Sequence, residues 1–402
     1  MDDISLLIKP SSARCNLQCT YCFYSRVKDL YPEPHTLMTL ETAETLIRKT
    51  LELGLRENSF CWQGGEPTLM GIGFFQEVVR LQRRYATPGQ IIANSLQTNG
   101  ILLDDRWAEF LAGNSFLVGL SLDGPRECHD HYRTTPSGRG TFDRVMSAAK
   151  YLEERGAEFN ILTLLSDRNV NRPDELYRFF RRHGFSHLQF VPCVETDHST
   201  GRPFPYSVAV RDLGRFHCIL FDLWMKSGFY DVSIRTFEEI LIAFIDGVGT
   251  SCVMRPQCSS YLVVEHNGDV YPCDFFVYPE WKLGNINEDS YSRIFANPLR
   301  KKFAVIKSAL PEQCRSCRWL DLCRGDCPRF RPPAENGEAH PSVLCEARKM
   351  LFQQMEPHLP RIREEALRIR RRREGAGVTG GVRRNDRCPC GSGMKYKSCC
   401  GR

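Results

Sequence analysis

Through about Ser227 the chain alternates short β-rich runs with amphipathic helical patterns, and this restricts the fold more than any other feature. Candidate strands are Ser5–Ile8, Ser59–Trp62, Ile91–Leu96, Phe116–Leu122, Phe159–Leu165 and Leu188–Val191. Between them lie helical patterns over Leu40–Leu53, Phe74–Arg84, Asp105–Ala112, Phe142–Arg155 and Asp174–His183, the first with Thr39 as N-cap and Glu41 in its opening turn. Strand–helix alternation implies parallel pairing through right-handed crossovers. About six such units suit a partial β/α barrel or an open doubly wound sheet, which periodicity alone does not separate. The polar, glycine-rich segments follow the strands: Gln63-Gly64-Gly65-Glu66-Pro67, Gln97-Thr98-Asn99-Gly100, Ser121-Leu122-Asp123-Gly124 and Cys193-Val194-Glu195. In parallel β/α architectures that edge carries the chemistry.

At 402 residues there is room for one large barrel domain and a smaller module. The opening MDDISLLIKP has no signal-peptide character and no run of 18 apolar residues follows, so a cytoplasmic location with no membrane partner is expected. Without a secretory route, 19 cysteines do not make a disulfide framework, and an odd number cannot pair completely. Metal ligation is the better use for them. The net charge of +6 belongs to the tail: residues 351–402 hold thirteen Lys and Arg against five Asp and Glu, leaving −2 for the first 350 residues. The run Arg368-Ile369-Arg370-Arg371-Arg372-Arg373 is read as a solvated basic helix end, since one charge run is a weak nucleic-acid signal.

Cys15, Cys19 and Cys22 form C-x3-C-x2-C directly after the first strand. Three thiolates on a loop can hold three irons of a [4Fe–4S] cube and leave the fourth open to an exchangeable ligand, whereas a purely electron-transferring cluster normally has four protein ligands. A zinc ion with one water ligand could use the same thiolates. The spacing, Tyr21 before the last cysteine and the preceding strand all agree with iron.

These residues, with Gly64-Gly65-Glu66-Pro67 after the second strand, resemble the radical S-adenosylmethionine superfamily over roughly residues 1–350. The resemblance implies a partial (β/α)6 barrel. It also implies that the open iron chelates S-adenosylmethionine and that Tyr21, Gly65, Ser121, Arg133 and Val194 surround this cofactor. Reduction of the sulfonium would yield a 5′-deoxyadenosyl radical. A second cysteine group, C-x5-C-x9-G-x4-C then C-x2-C-x5-C-x3-C then a last Cys, resembles the SPASM extension of peptide-modifying radical enzymes. That resemblance implies one auxiliary cluster on Cys252, Cys258, Cys273 and Cys327, and another on Cys314, Cys317, Cys323 and Cys345. The total is three [4Fe–4S] clusters, the auxiliary pair suited to electron transfer. Two zinc ribbons are the bland alternative, since C-x2-C is common in them. The stretch from Asn385 to Cys400 resembles a SEC-C motif, implying a Zn2+ on Cys388, Cys390, Cys399 and Cys400 that supplies the folding energy of an interaction module for a protein partner. Cys61, Cys128, Cys193 and Cys218 are left to packing.

The expected domains are a barrel over 1–234, a SPASM region over 235–350, a basic helical linker and hinge over 351–381, and the zinc module over 382–402. The strings SLLIKPSSARCNLQCTYCFY, FCWQGGEPTLMG, NSLQTNG, LVGLSLDGPRE and VYPCDFFV resemble one branch, the anaerobic sulfatase-maturating enzymes. In that branch a cysteine or serine of a sulfatase, in a C/S-x-P-x-R context of an unfolded or nascent polypeptide, becomes Cα-formylglycine. The resemblance implies Asp274 as general base after Cβ hydrogen abstraction, with a flavodoxin- or ferredoxin-like electron donor; Gln63 is a candidate for orienting the peptide. Another SPASM-type modification, a thioether or carbon–carbon crosslink, shares this scaffold and stays open, and an Fe–S electron carrier or zinc adaptor is the distant alternative.

Overall fold

The structure is a computed structural model describing residues 3–32, 37–197, 200, 202–228, 231–247, 249–332, 340–365 and 368. All six expected strands form: β1 (Asp3–Lys9), β2 (Glu57–Trp62), β3 (Ile91–Thr98), β4 (Leu117–Ser121), β5 (Glu158–Leu165) and β6 (His187–Pro192). They pair in parallel in sequence order. The crossovers contain α1 (Leu40–Leu51), α2 (Gly71–Tyr85), α3 (Asp105–Gly113), α4 (Phe142–Glu154) and α5 (Pro173–Arg182). Thr39 caps α1 as expected, its hydroxyl accepting from Thr42 N at 3.1 Å, a bond worth about 1 kcal/mol.

The strands have two unlike faces. Leu6, Ile8, Phe60, Trp62, Leu96, Val118 and Leu120 are buried in one hydrophobic core with the inner sides of the helices. The alternate positions Ser5, Leu7, Ser59, Cys61, Ser95 and Gln97 are only half-buried. Period-2 alternation therefore sends large apolar groups to the helices and leaves the other face of the sheet mostly small and polar.

After α6 (Val210–Lys226) comes a two-residue strand, β7 (Ser233–Ile234), beside β6, and then α7 (Arg235–Asp246). The cysteine-rich region adds β8 (Leu262–Glu265), β9 (Asp269–Tyr271) and β10 (Gly284–Asn285), and α8 (Cys345–Met355) packs along α6. β8 pairs in parallel with β1, giving one ten-stranded sheet in the order β10-β9-β8-β1-β2-β3-β4-β5-β6-β7. No described pairing joins β7 to β10, so the barrel is partial and its open side is flanked by the cysteine-rich region. No helix among the described residues is long and apolar enough to cross a membrane. Cys388, Cys390, Cys399 and Cys400 lie outside the described residues.

Candidate active site

The loop after β1 carries Cys15, Cys19 and Cys22, all free thiols. Burial pushes Cys15 up to about 11 and Cys19 up to about 12, so without metal both are neutral. Leu17 N–H and Asn99 Nδ2 point at the Cys15 sulfur, at 3.4 and 3.7 Å. Such N–H···S contacts favour the thiolate that a metal requires. No group of three His, Cys, Asp or Glu among the described residues converges on the position of a single ion. A cubane does not ask for that, because each thiolate binds its own iron.

Around this loop the backbone is tightly packed. Ser12 adopts φ 47°, and Gly64 adopts φ 129°, which only glycine accepts readily. Gly65 N donates to Ser12 O at 2.6 Å, and a Cβ on Gly65 would run into the Arg14 carbonyl. Glu66, fully buried, accepts from Thr68 N, Thr68 Oγ1, Thr98 Oγ1 and Asn99 N at 2.6–3.0 Å, clamping the loop after β2 to the loop after β3. Ser11 Oγ, Ser12 Oγ and Asn16 Nδ2 are buried without a partner. Buried polar atoms are normally satisfied, so these three suit a polar ligand at the loop.

Of the other residues expected around the cofactor, Tyr21 and Arg133 meet at Asp123. Arg133 donates to it from Nε at 2.9 Å and from Nη2 at 3.2 Å, Leu164 N adds a bond at 3.0 Å, and the Tyr21 hydroxyl is bonded to the same carboxylate. The Arg133 guanidinium lies 5.6 Å from the Tyr21 ring. Ser121, at the end of β4, accepts from Gln97 Nε2 at 3.2 Å, and Val194 follows β6, partly buried against the main core. Asp123 was visible only as part of a polar turn; nothing in its neighbourhood of sequence indicates that it binds an arginine and a tyrosine from two other segments.

Asp274 opens a short 3-10 turn after β9. Its carboxylate lies 3.8 Å from Lys9 Nζ and accepts from Tyr261 Oη at 3.0 Å. Lys9 is buried with its ammonium 4.2 Å from the Tyr24 ring centre, and the Tyr24 hydroxyl is bonded to the buried Glu265. Sequence reasoning missed Lys9, although a lysine at the end of an otherwise apolar strand is a signal. Gln63 stands half-buried at the end of β2.

Cys252, Cys258, Cys273 and Cys327 line one cavity of about 80 Å3, and Cys314, Cys317, Cys323 and Cys345 line another of about 30 Å3. Burial raises Cys327 to about 12 and Cys323 to about 11. The two sets are separated by Arg324, Gly325 and Asp326, all in the left-handed region at φ 50°, 74° and 61°. Asp326 is held there by Ser342 Oγ and Arg348 Nη2 at 2.8 and 3.0 Å. Left-handed backbone costs roughly 1–2 kcal/mol for a non-glycine residue, which these bonds offset. A third cavity, of about 300 Å3, runs between β6, α7 and α8 and shares Cys252, Val253, Phe275 and Phe330 with the first. Among the other cysteines, Cys193 packs against Tyr21 and Tyr132, Cys128 is buried, and Cys61 and Cys218 are half-buried. A separate crevice at the opposite ends of β5 and β6 holds none of these groups.

Comparison with known proteins decides what this arrangement belongs to. The radical SAM superfamily model matches residues 10–180, an iron-sulfur cluster-binding (SPASM) domain model matches 252–318, and a SEC-C motif matches 384–402. A cysteine-type anaerobic sulfatase-maturating enzyme of Clostridium perfringens is 37% identical over 362 residues, covering 89% of this chain and 98% of the relative. The chain belongs to the anaerobic sulfatase-maturating enzyme family. Another of the family's members, a serine-type enzyme of Bacteroides thetaiotaomicron, is 34% identical over 380 residues, covering 90% and 92% of the two chains. A solved structure described as anSMEcpe with bound AdoMet and Kp18Cys peptide superposes with a TM-score of 0.84 at 36% identity, covering 90% of this chain and 99% of that one. As a member of this family the protein is a radical S-adenosylmethionine oxidoreductase, and its fold is the partial barrel with a SPASM region.

Proposed function

We propose that this protein oxidises a cysteine or serine of a sulfatase polypeptide, in a C/S-x-P-x-R context, to Cα-formylglycine. The observation that carries the reading is the position of Asp274, a buried carboxylate held by Lys9 and Tyr261 beside a cavity lined by four cysteines. Relatives with the same architecture are cysteine-type and serine-type maturating enzymes, and the solved relative was obtained with a peptide.

In this reading Cys15, Cys19 and Cys22 hold the cluster that binds S-adenosylmethionine, together with Tyr21, Gly65, Ser121, Arg133 and Val194. Bound there and reduced, S-adenosylmethionine supplies the 5′-deoxyadenosyl radical that takes a hydrogen atom from the target Cβ. The chain's own groups do the rest. The cavity of about 300 Å3 beside Phe275 admits the peptide, and Gln63 orients it. Asp274 takes the proton of the target thiol or hydroxyl as the substrate carbon gives up one further electron; Cys252, Cys258, Cys273 and Cys327 would hold the iron-sulfur cluster that supplies an acceptor for it. Removal of one hydrogen atom, one proton and one electron leaves a C=S or C=O bond, and hydrolysis completes the cysteine case. General-base help of this kind is worth about 10²–10⁴-fold in rate. Lys9 and Tyr261 keep the carboxylate aimed.

The second cysteine set extends the electron path, residues 1–234 and 235–350 form the two working domains, and the SEC-C tail binds one zinc and a protein partner. A cytoplasmic setting, a flavodoxin- or ferredoxin-like donor and an unfolded or nascent substrate complete the proposal. The test is an anaerobically reconstituted preparation incubated with paired Cys and Ser peptides. Wild type should hold close to 12 irons, four for each of three clusters, and form formylglycine. Asp274→Asn should still release 5′-deoxyadenosine while forming little product; full product from that variant removes Asp274 from the base role.

A further inference from the structure

We propose that Lys307 is the counter-charge of the electron acceptor at Cys252, Cys258, Cys273 and Cys327, and that it makes that site the easier of the two auxiliary sites to reduce. The inference rests on the assignment of a cluster to those four cysteines.

Lys307 follows the helix Pro298–Ile306 and is 1% exposed. Its ammonium donates to the carbonyls of Cys252 and Val253 at 2.8 and 2.6 Å, on the wall of the four-cysteine cavity. Its backbone is fixed as well: Arg331 Nη2 donates to Lys307 O at 3.1 Å, Ser308 Oγ donates to Pro256 O at 3.2 Å, and Cys258 N donates to Ala304 O at 3.1 Å. The ammonium therefore has one seat.

What distinguishes Lys307 is the lack of a direct ion pair: the carboxylate that acts on it, Asp326, does so beyond ion-pair distance and is itself paired with Arg348. Among the described residues the other buried cations each face a carboxylate, Lys9 facing Asp274 and Arg133 facing Asp123, and so do the partly buried Arg348 and Arg329, which face Asp326 and Glu195. Among the described residues no carboxylate lies within ion-pair distance of Lys307, and its two bonds are to neutral carbonyls. A buried charge without a partner is strongly unfavourable. A cluster ligated by four thiolates is anionic in both its oxidation states and would sit on the other side of those carbonyls.

The consequence for electron flow is directional. When the substrate radical loses its electron to the oxidised acceptor, the negative charge there grows by one. A fixed cation favours that reduced state, and net charge is one determinant of cluster potential. Among the described residues the second set has no equivalent. Lys349 pairs with Glu346 at 3.2 Å and is part-exposed, Arg348 is neutralised by Asp326, and Arg331, bonded to the carbonyls of Gly325, Ala309 and Lys307, is only half-buried. Lys307 thus marks the site nearer Asp274 as the place where the electron first settles.

The experiment is a potentiometric titration followed by electron paramagnetic resonance, on the full chain carrying Cys15→Ala, Cys19→Ala and Cys22→Ala so that only the auxiliary clusters report. Lys307→Gln, which keeps two amide donors and drops the charge, should move one of the two midpoints to lower potential and leave the other in place. Lys307→Arg should restore the midpoint. With all cysteines present, Lys307→Gln should lower product formed per S-adenosylmethionine cleaved several-fold. Two unmoved midpoints in a fully loaded variant overturn the inference. Should Lys307→Gln fail to load iron, Lys307→Arg must load and keep the wild-type midpoint; loss of iron in both variants means that the shape of the seat matters and not its charge, and overturns the proposal. Wild-type protein without iron at this cysteine set overturns the cluster assignment itself, a result distinct from a loaded cluster with an unmoved midpoint.

Discussion

Asp123→Ala isolates the carboxylate on which Arg133 and Tyr21 converge. Asp123 is 3% exposed and accepts two bonds from Arg133, one from Leu164 N and one from the Tyr21 hydroxyl. Truncation leaves the Arg133 guanidinium, itself buried, without an anion. Breaking a buried pair from one side costs about 3–5 kcal/mol. For a chain of 402 residues the unfolding entropy is roughly 0.8 kcal/mol per kelvin, so the melting temperature should fall by about 4–6 °C. Differential scanning calorimetry of the metal-free chain, where no cluster contributes, is the appropriate assay. The double variant Asp123→Ala/Arg133→Met removes both charges and should recover most of the loss, because a buried pair replaced by apolar groups is often neutral. A single variant that melts within about one degree of wild type refutes the reasoning. So does a double variant that is worse than the sum of the two single changes.

Acid should act through His129, which accepts the backbone N–H of Asp123 at Nδ1 and meets Thr141 Oγ1 at 3.1 Å from Nε2. Burial lowers its pKa to about 4, so the unfolded chain binds a proton that the folded chain refuses. Stability should therefore be lost as pH falls from about 6.5 toward 4, by about 3 kcal/mol, and urea midpoints of His129→Gln should lack that component of the decline. Gly65→Ala places a methyl group against the Arg14 carbonyl, which is backbone and cannot rotate away. Equilibrium dialysis should show S-adenosylmethionine binding lost from that variant. By contrast, Gly73→Ala, with nothing near its Cβ inside α2, should bind normally and gain about 0.5–1 kcal/mol in stability.

The barrel was legible because its signals are local and periodic. The six strands appear within two residues of the runs read from alternation, and α1, α3, α4 and α5 differ at their ends by two residues or fewer. α2 begins at Gly71, three residues before the first phenylalanine of its pattern, because Pro67–Met70 forms a 3-10 turn leading directly into it. The cysteine-rich strands were not legible. β8 and β9 are four and three residues long, and every one of those residues is buried. Such a strand shows neither alternation nor length, so the pattern fades where the sheet in fact continues. The charged pairs were hidden for a different reason: Lys9 and Asp274, or Glu265 and Tyr24, are more than 200 positions apart, and nothing periodic relates them.

The pairing of β8 with β1 gives these distant partners their purpose. In register, Lys9 lies opposite Glu265, so the strand that leads into the three-cysteine loop also aligns the region that carries Asp274. β9 then turns back antiparallel to β8, and the next turn presents Cys273 and Asp274 to the side chains of Lys9 and Tyr261. In the proposed function the hydrogen-abstracting centre lies on one side of this pairing, and the base and electron acceptor on the other. A flexible tether between two independent domains would let that separation drift, and electron and proton would then leave the substrate at unrelated times. Four residue pairs of parallel sheet, with a buried lysine and carboxylate across them, would in that reading hold the two halves of the reaction at one distance, with the cysteine-rich region, rather than two further β/α units, flanking the barrel's open side.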